Sequence, residues 1–286
     1  MNSIQDTELI LTKEKKIYHL NIDKDQISNN IILVGDQDRV CQISKHFEYI
    51  ENQIQHREFV THTGLYKGKR ISAISTGIGC DNIDIVINEL DAIVNIDFKT
   101  KTIRKQKKIL NLIRIGTSGS LQKDVPVDSF LMSKYALGFD GLAHFHQNTD
   151  CIHKTITSAF NKHAKWPSNL SKPYMVKASE SLLHKFSGFK EGITATASGF
   201  YSPQGRHLRL APSIPNMHEI LNTFEYKKNK ITNFEMESSA LYFLGQSLGH
   251  NTITICAVIG NRINKTQSKN YKETVDKLII EILEKI

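Results

Sequence analysis

Leu112-Ile113-Arg114-Ile115-Gly116-Thr117-Ser118-Gly119-Ser120 is the stretch on which the reading of the fold turns. The apolar run from Ile109 to Ile115 reads as a buried strand, and Gly116 to Ser120 reads as the loop at its carboxyl end. Two earlier segments have the same form. Ile31 to Val34 runs into Gly35-Asp36, and Ile71 to Ser75 runs into Thr76-Gly77-Ile78-Gly79. Asp81 to Ile96 carries Ile83, Val86, Ile87, Leu90, Ile93 and Val94 at helical spacing, with Asp81 or Asn82 as the expected cap. Further along, Val127–Met132, Gly192–Ala197 and Thr252–Ile259 read as strands. Glu237–Leu248 reads as a helix, and a closing helix carries Val275, Leu278, Ile279, Ile282, Leu283 and Ile286. Strands alternating with helices give an α/β sandwich around a central sheet. No internal repeat or linker divides residues 1–286, so one domain is expected. The least regular stretches are 168–173 and 199–215.

Composition agrees. The chain has 286 residues, 40% hydrophobic and 23% charged, with 16 Gly and 6 Pro, which excludes fibrous, low-complexity and disordered classes. Cys41, Cys80, Cys151 and Cys256 form no close pair, so reduced thiols are expected and no redox or metal pair. Met1 to Lys16 includes Asp6 and Glu8 and no long apolar stretch, unlike a signal peptide, and no run approaches a membrane span. A cytoplasmic protein with no membrane partner is expected. The net charge of +8 is concentrated partly in a segment around 97–108, where Lys99, Lys101, Arg104, Lys105, Lys107 and Lys108 crowd together. Nucleic acid is the rival partner for such a run. No aromatic is interleaved for stacking and no nucleic-acid-binding motif accompanies it, so it reads as a solvated surface insertion.

Ligands of α/β sheets bind outside the carboxyl ends of strands, and glycine there lets backbone N–H groups approach an anion. A single such glycine does no more than turn the chain. Three loops accompanied by Arg39, Arg114 and Thr117 point instead to phosphate or another oxyanion. Arg114 is the most informative of these, since an arginine at the end of an apolar strand needs an anionic partner. No P-loop, GxGxxG, HExxH or GxSxG pattern occurs, and Asp140, His144 and His146 match no metal signature.

Eight ordered pieces resemble one family, the nucleoside phosphorylases of the uridine phosphorylase type. They are Ile17-Tyr18-His19-Leu20, Gly35-Asp36-Gln37-Asp38-Arg39-Val40, His56-Arg57-Glu58-Phe59, Ser75-Thr76-Gly77-Ile78-Gly79, Arg114-Ile115-Gly116-Thr117-Ser118-Gly119, Phe200 to Arg206, Phe234-Glu235-Met236-Glu237-Ser238, and Val258 to Arg262. The resemblance implies a three-layer α/β/α sandwich with a mixed central sheet, acting as a pentosyltransferase. The reaction it implies is uridine plus phosphate to uracil plus ribose 1-phosphate. Phosphate would be held by Gly35, Arg39, Arg114 and Thr117, with Arg57 reaching in from a neighbouring subunit. The ribose would meet Met236, Glu237 and the neighbour's His19, and the base would meet Phe200, Gln204 and Arg206. Arg114, Glu237 and Arg206 would carry catalysis. A homodimer or a trimer of dimers is implied, with no resident cofactor and no catalytic metal.

The sequence departs from the family in places. Phe200-Tyr201-Ser202-Pro203-Gln204-Gly205-Arg206 stands where Phe-Tyr-Pro-Gly-Gln-x-Arg is more usual. Some relatives hold a monovalent cation at the dimer interface through positions matching Glu58, Ile78 and Asn82, the last of which is usually serine. The nearest rival readings are a purine nucleoside phosphorylase and a nucleosidase on the same fold. The purine enzymes commonly place a Ser-Asp pair where this chain has Gly260-Asn261-Arg262, and a nucleosidase has no need of arginines around a dianion.

Overall fold

The computed structural model describes residues 3–286. It begins with β1 (Asn30–Val34), α1 (Gln37–Ser44) and an antiparallel run of β2 (Tyr49–His56), β3 (Phe59–Tyr66) and β4 (Lys69–Ser75). Next come α2 (Cys80–Asn95), the two-residue strands β5 (Ile96–Asp97) and β6 (Thr102–Ile103), β7 (Asn111–Ser120) and β8 (Phe130–Gly138). The middle holds α3 (Lys154–Ala164), β9 (Tyr174–Lys177), α4 (Glu180–Lys185), β10 (Lys190–Thr196) and α5 (Met217–Thr223). The last part holds β11 (Glu225–Tyr226), β12 (Asn229–Glu235), α6 (Ser238–Ser247), β13 (Asn251–Asn261), β14 (Thr266–Gln267) and α7 (Tyr271–Lys285).

A mixed sheet runs in the order β11-β12-β10-β8-β13-β7-β1-β4-β3-β2. Helices cover it to give the expected three-layer α/β/α arrangement. Parallel neighbours β4, β1, β7 and β13 form its middle. Parallel strands are buried on both faces, and in β1 Ile31 to Val34 are all buried. The sheet also curls. β12 meets β7 antiparallel at Asn233↔Ser120 and Phe234↔Gly119, which closes β7, β13, β8, β10 and β12 into a ring. The carboxyl ends of β7 and β12 are thereby brought side by side.

In α2, Ile83, Val86, Ile87, Leu90 and Ile93 form the stripe read from the sequence, all buried. Each contributes about 1.5–3 kcal/mol by leaving water. Neither Asp81 nor Asn82 caps this helix. The N-cap is Gly79, with φ 101° and ψ 162° and no side-chain cap bond. That backbone region is nearly closed to residues with a Cβ, so only glycine starts the helix there without strain. A second apolar cluster, with Phe160, Phe224 and Phe234 among its members, packs around α3 and α5.

Several expectations are corrected. Gly116–Ser120 is not a loop. β7 continues through it to Ser120 because its N–H and C=O groups find partners on β13. The strand expected at Val127–Met132 lies at Phe130–Gly138. The basic segment is exposed but not slack. β5 and β6 pair across it, and Asn95 accepts the Lys108 N–H at 2.7 Å and donates to the Lys108 carbonyl at 3.2 Å. Among the described residues, no helix is long and apolar enough to cross a membrane.

Candidate active site

The carboxyl ends of β1, β7, β12 and β13 open onto one cleft of about 1520 Å³. Gly35, Arg39, Arg114, Thr117, Phe200, Gln204, Arg206, Met236 and Glu237 all line it. So do Glu235, His218 and Tyr271, to which the sequence assigned no role, and Arg262, which with Asn261 replaces the purine enzymes' Ser-Asp pair and points to a pyrimidine.

Arg114 is the centre of the deep end. Its side chain is 5% exposed and its guanidinium folds back over Gly116, two residues along the same strand face. A Cβ at Gly116 would lie 2.1 Å from Arg114 Nη1, so that glycine is where the guanidinium sits. Arg114 Nη2 donates to Glu237 Oε2, and Nη1 lies 3.3 Å from Glu235 Oε2. The guanidinium Nε has no hydrogen-bond partner, and Nη1 makes no aligned bond. Burial works against the charge on Arg114, but Glu237 and Glu235 together outweigh it and raise its pKa. Glu237 is pulled both ways. Burial pushes its carboxyl upward and Glu235 adds to this, while Arg114 and the Gly79 N–H, 2.8 Å from Oε1, oppose it. Arg39, its Nη1 3.4 Å from the Ile115 carbonyl, is lowered by burial and then by Arg114.

Two glutamates two residues apart divide the work at the start of α6. Glu235 accepts the N–H groups of Glu237 and Ser238, both at 3.0 Å, and the Thr196 hydroxyl at 2.6 Å. Those are the free donors of a helix start. Glu237 occupies the N-cap position yet makes no cap bond. Its carboxylate is left to face Arg114 and the cleft.

The outer end is built from the irregular stretch 199–215 and the end of β13. Arg206 lies over the Phe200 ring, its Cζ 3.6 Å from the centroid, and Phe200 is 50% exposed. Arg206 Nη1 donates to Gln204 Oε1 at 2.6 Å, and Arg262 Nη2 donates to the same oxygen at 2.7 Å. The Gln204 oxygen is therefore fully engaged, and this end offers donors to a ligand. Burial, with help from Arg206, lowers Arg262 to about 10. Asn261 serves the backbone. Its Nδ2 donates to the carbonyls of Gln122 and Val125, both at 2.8 Å, and its Oδ1 accepts from Ile263 and Asn264.

A model of the phosphorylase superfamily matches residues 30–284. The chain belongs to the phosphorylase superfamily. Similar superfamily members include a uridine phosphorylase of Thermococcus kodakarensis, 29% identical over 90% of this chain and 82% of the relative. A DeoD-type purine nucleoside phosphorylase of Clostridium perfringens is 27% identical over 91% of this chain and 94% of its own. Among solved structures, the Trypanosoma brucei nucleoside phosphorylase that shows uridine phosphorylase activity superposes with a TM-score of 0.86 at 27% identity. It covers 97% of this chain and 100% of that one. The superfamily therefore spans purine and pyrimidine enzymes at similar distance from this member.

Two residues expected at the superfamily's site, His19 and Arg57, do not line the cleft of their own chain. They form a separate knot. Arg57 Nη2 donates to the Tyr18 hydroxyl at 3.2 Å, and His56 Nδ1 meets the His19 carbonyl at 2.8 Å. His19 Nδ1 lies 2.6 Å from Glu89 Oε1, and Glu89 also accepts the N–H groups of His19 and Leu20. For a cation, Glu58, Ile78 and Asn82 would have to turn oxygens to one point. Asn82 instead turns Nδ2 toward the Ile78 carbonyl, 3.5 Å away. The three do not fit a cation as arranged. Among the described residues, no group of three or more His, Cys, Asp or Glu could hold a metal ion.

Proposed function

We propose that this phosphorylase cleaves uridine with phosphate, giving uracil and ribose 1-phosphate. One observation carries the reading. The outer end of the cleft offers an amide and two guanidiniums and no carboxylate among the described residues, while Asn261 is wholly engaged with backbone. A departing uracil anion spreads its charge over O2 and O4, which match such donors. A departing purine is helped by an acid at N7, and none stands here.

In this reading the glycosidic C1′–N1 bond lengthens and its electron pair goes to uracil. Phosphate forms the new bond to C1′ from the opposite face. Arg39, Arg114, Thr117 and the Gly35 N–H hold the dianion, using guanidinium forks and backbone donors. Arg114 has unaligned donors and two carboxylates that keep it charged, so it meets phosphate preorganised. Glu237 accepts from the ribose 2′- and 3′-hydroxyls with the remaining lone pairs of its oxygens. Met236 packs on the sugar, Phe200 stacks on the base, and Arg206 steadies the growing negative charge.

Arg57 and His19 act in this scheme on the site of a second copy, in a two-fold dimer where each subunit gives and receives. The support is backbone strain. Arg57 holds φ 55° in the two-residue turn between β2 and β3, a position where glycine would be comfortable. Nine other non-glycine residues among those described share the left-handed conformation, and at Arg57 its cost of about 1–2 kcal/mol is offset if the side chain serves a second copy.

The test is product analysis for uridine, thymidine, inosine and adenosine, with and without phosphate. Phosphate-dependent release of uracil and ribose 1-phosphate is expected, with inosine and adenosine poor. Inosine turned over as fast as uridine would establish the purine reading, which the DeoD-type relatives favour. Release without phosphate would establish a nucleosidase.

A further inference from the structure

His218 stands on the first turn of α5, outside every motif of the sequence reading, yet it lines the cleft. Its Nε2 is 2.7 Å from Arg262 Nη1 and 2.8 Å from the Gln204 carbonyl oxygen. Arg262 Nη1 itself donates to that carbonyl at 2.7 Å. A guanidinium has only donors and a carbonyl only accepts, so the contact with Nη1 is a hydrogen bond when Nε2 is unprotonated and the contact with the Gln204 carbonyl is one when Nε2 carries the proton. The form of the ring that bonds Arg262 is the neutral one with its proton on Nδ1. Gly205, at φ 69°, makes the approach possible, since a Cβ there would sit 3.1 Å from Nε2.

We propose that His218 is a positioning residue for base recognition, its Nε2 lone pair holding the Arg262 guanidinium where Nη2 fixes the Gln204 amide. The proposal rests on the reading that Gln204 and its arginines meet the base. It predicts something that reading does not. A proton on Nε2 replaces the lone pair with an N–H facing a guanidinium, and Arg262 must move. The charged groups that face His218 are Arg262 and Arg206. No carboxylate among the described residues offsets them. Burial above all, and then those two arginines, lower its pKa against the single opposing contact from the Gln204 carbonyl. The ring is therefore held toward its neutral form and takes a proton only in more acid solution than an ordinary histidine does. Nucleoside binding then weakens in acid through this ring, whereas the phosphate KM follows the second ionisation of phosphate itself and is the same with and without His218.

The experiment is steady-state kinetics of the full chain from pH 5 to 8, varying uridine and phosphate separately. In the wild type, the KM for uridine rises toward the acid end of that range. His218→Phe keeps a ring and removes the acceptor. It raises the uridine KM at pH 8 by about tenfold and moves the phosphate KM and kcat by less than about twofold. His218→Gln puts an amide oxygen near the Nε2 position, recovers most of the uridine affinity and abolishes the acid rise. A folded His218→Phe with the wild-type uridine KM overturns the proposal. So does an acid rise that is absent from the wild type or unchanged in His218→Gln, and this profile decides alone if the Phe variant does not fold. Gln204→Ala separates the two levels. If it leaves the uridine KM unchanged, the base-site reading fails. If it raises that KM while His218→Phe does not, only the role of His218 fails.

Discussion

The two ends of the cleft hold their arginines by different means. At the deep end Arg114 sits mid-strand in β7, nearly sealed, against two carboxylates. At the outer end Arg206 and Arg262 converge on an amide oxygen, backbone carbonyls, an aromatic face and an imidazole. A buried guanidinium with acid partners belongs to the fold as much as to the site. One held by neutral acceptors keeps its charge available to whatever enters, and its loss leaves no orphaned ion behind.

The sharpest break of that comparison is in stability. Arg114→Ala strands Glu235 and Glu237 together in a buried place and costs about 3–5 kcal/mol in denaturant unfolding, beside loss of activity. Arg206→Ala, which abandons only neutral acceptors, costs less than about 1 kcal/mol while still weakening uridine turnover. Equal costs at the two ends would erase the distinction. Next in size is Glu237→Gln, which keeps the shape and the Gly79 contact but not the charge. A drop in kcat/KM of about 10²–10³-fold is expected, measured beside a thermal melt. The ion pair with Arg114 makes this carboxylate part of the interior as well as of the cleft.

Arg57→Gly separates function from fold within one residue. Glycine relieves the left-handed turn, so stability stays level or rises by about 1 kcal/mol. Phosphorolysis falls by roughly 10–100-fold if a phosphate contact of charge-assisted strength is lost. Mixing Arg57→Ala with Arg114→Ala subunits then restores activity if Arg57 serves a second copy. The smallest effect concerns the basic hairpin. Lys105 and Lys107 are exposed, and replacing both with Ser shifts stability by no more than about 0.5 kcal/mol and leaves uridine kinetics alone.

How much of this was legible depended on where the information lay. β1, β4 and β7 announced themselves as apolar runs because both their faces are covered. β2, read as Tyr49-Ile50-Glu51-Asn52-Gln53-Ile54-Gln55-His56, did not, since alternate residues face solvent and the inward ones include Asn52 and His56. Gly116 to Ser120 looked like a turn because small residues usually mark one. Here Gly116 is small to admit a guanidinium, a reason visible only when Arg114 is in place. The motifs brought nine of the expected residues into one cleft. Glu235 went unread because its partners are N–H groups of a helix start, and His218 because its partner Arg262 comes from the end of β13.

The closing of the sheet on itself has a kinetic meaning. β7 and β12 come from opposite halves of the chain, and the Arg114 pairing with Glu235 and Glu237 exists only once they meet. Contacts so distant in sequence form slowly, because loop-closure entropy must be overcome before they are rewarded. The first strands and α2 are capable of early collapse, but a collapsed chain with an open ring has no competent centre. Regain of catalysis during refolding should therefore lag behind regain of helical circular dichroism. With phosphate bound at Arg114 as proposed, the closed arrangement is favoured, and added phosphate should then shorten the lag.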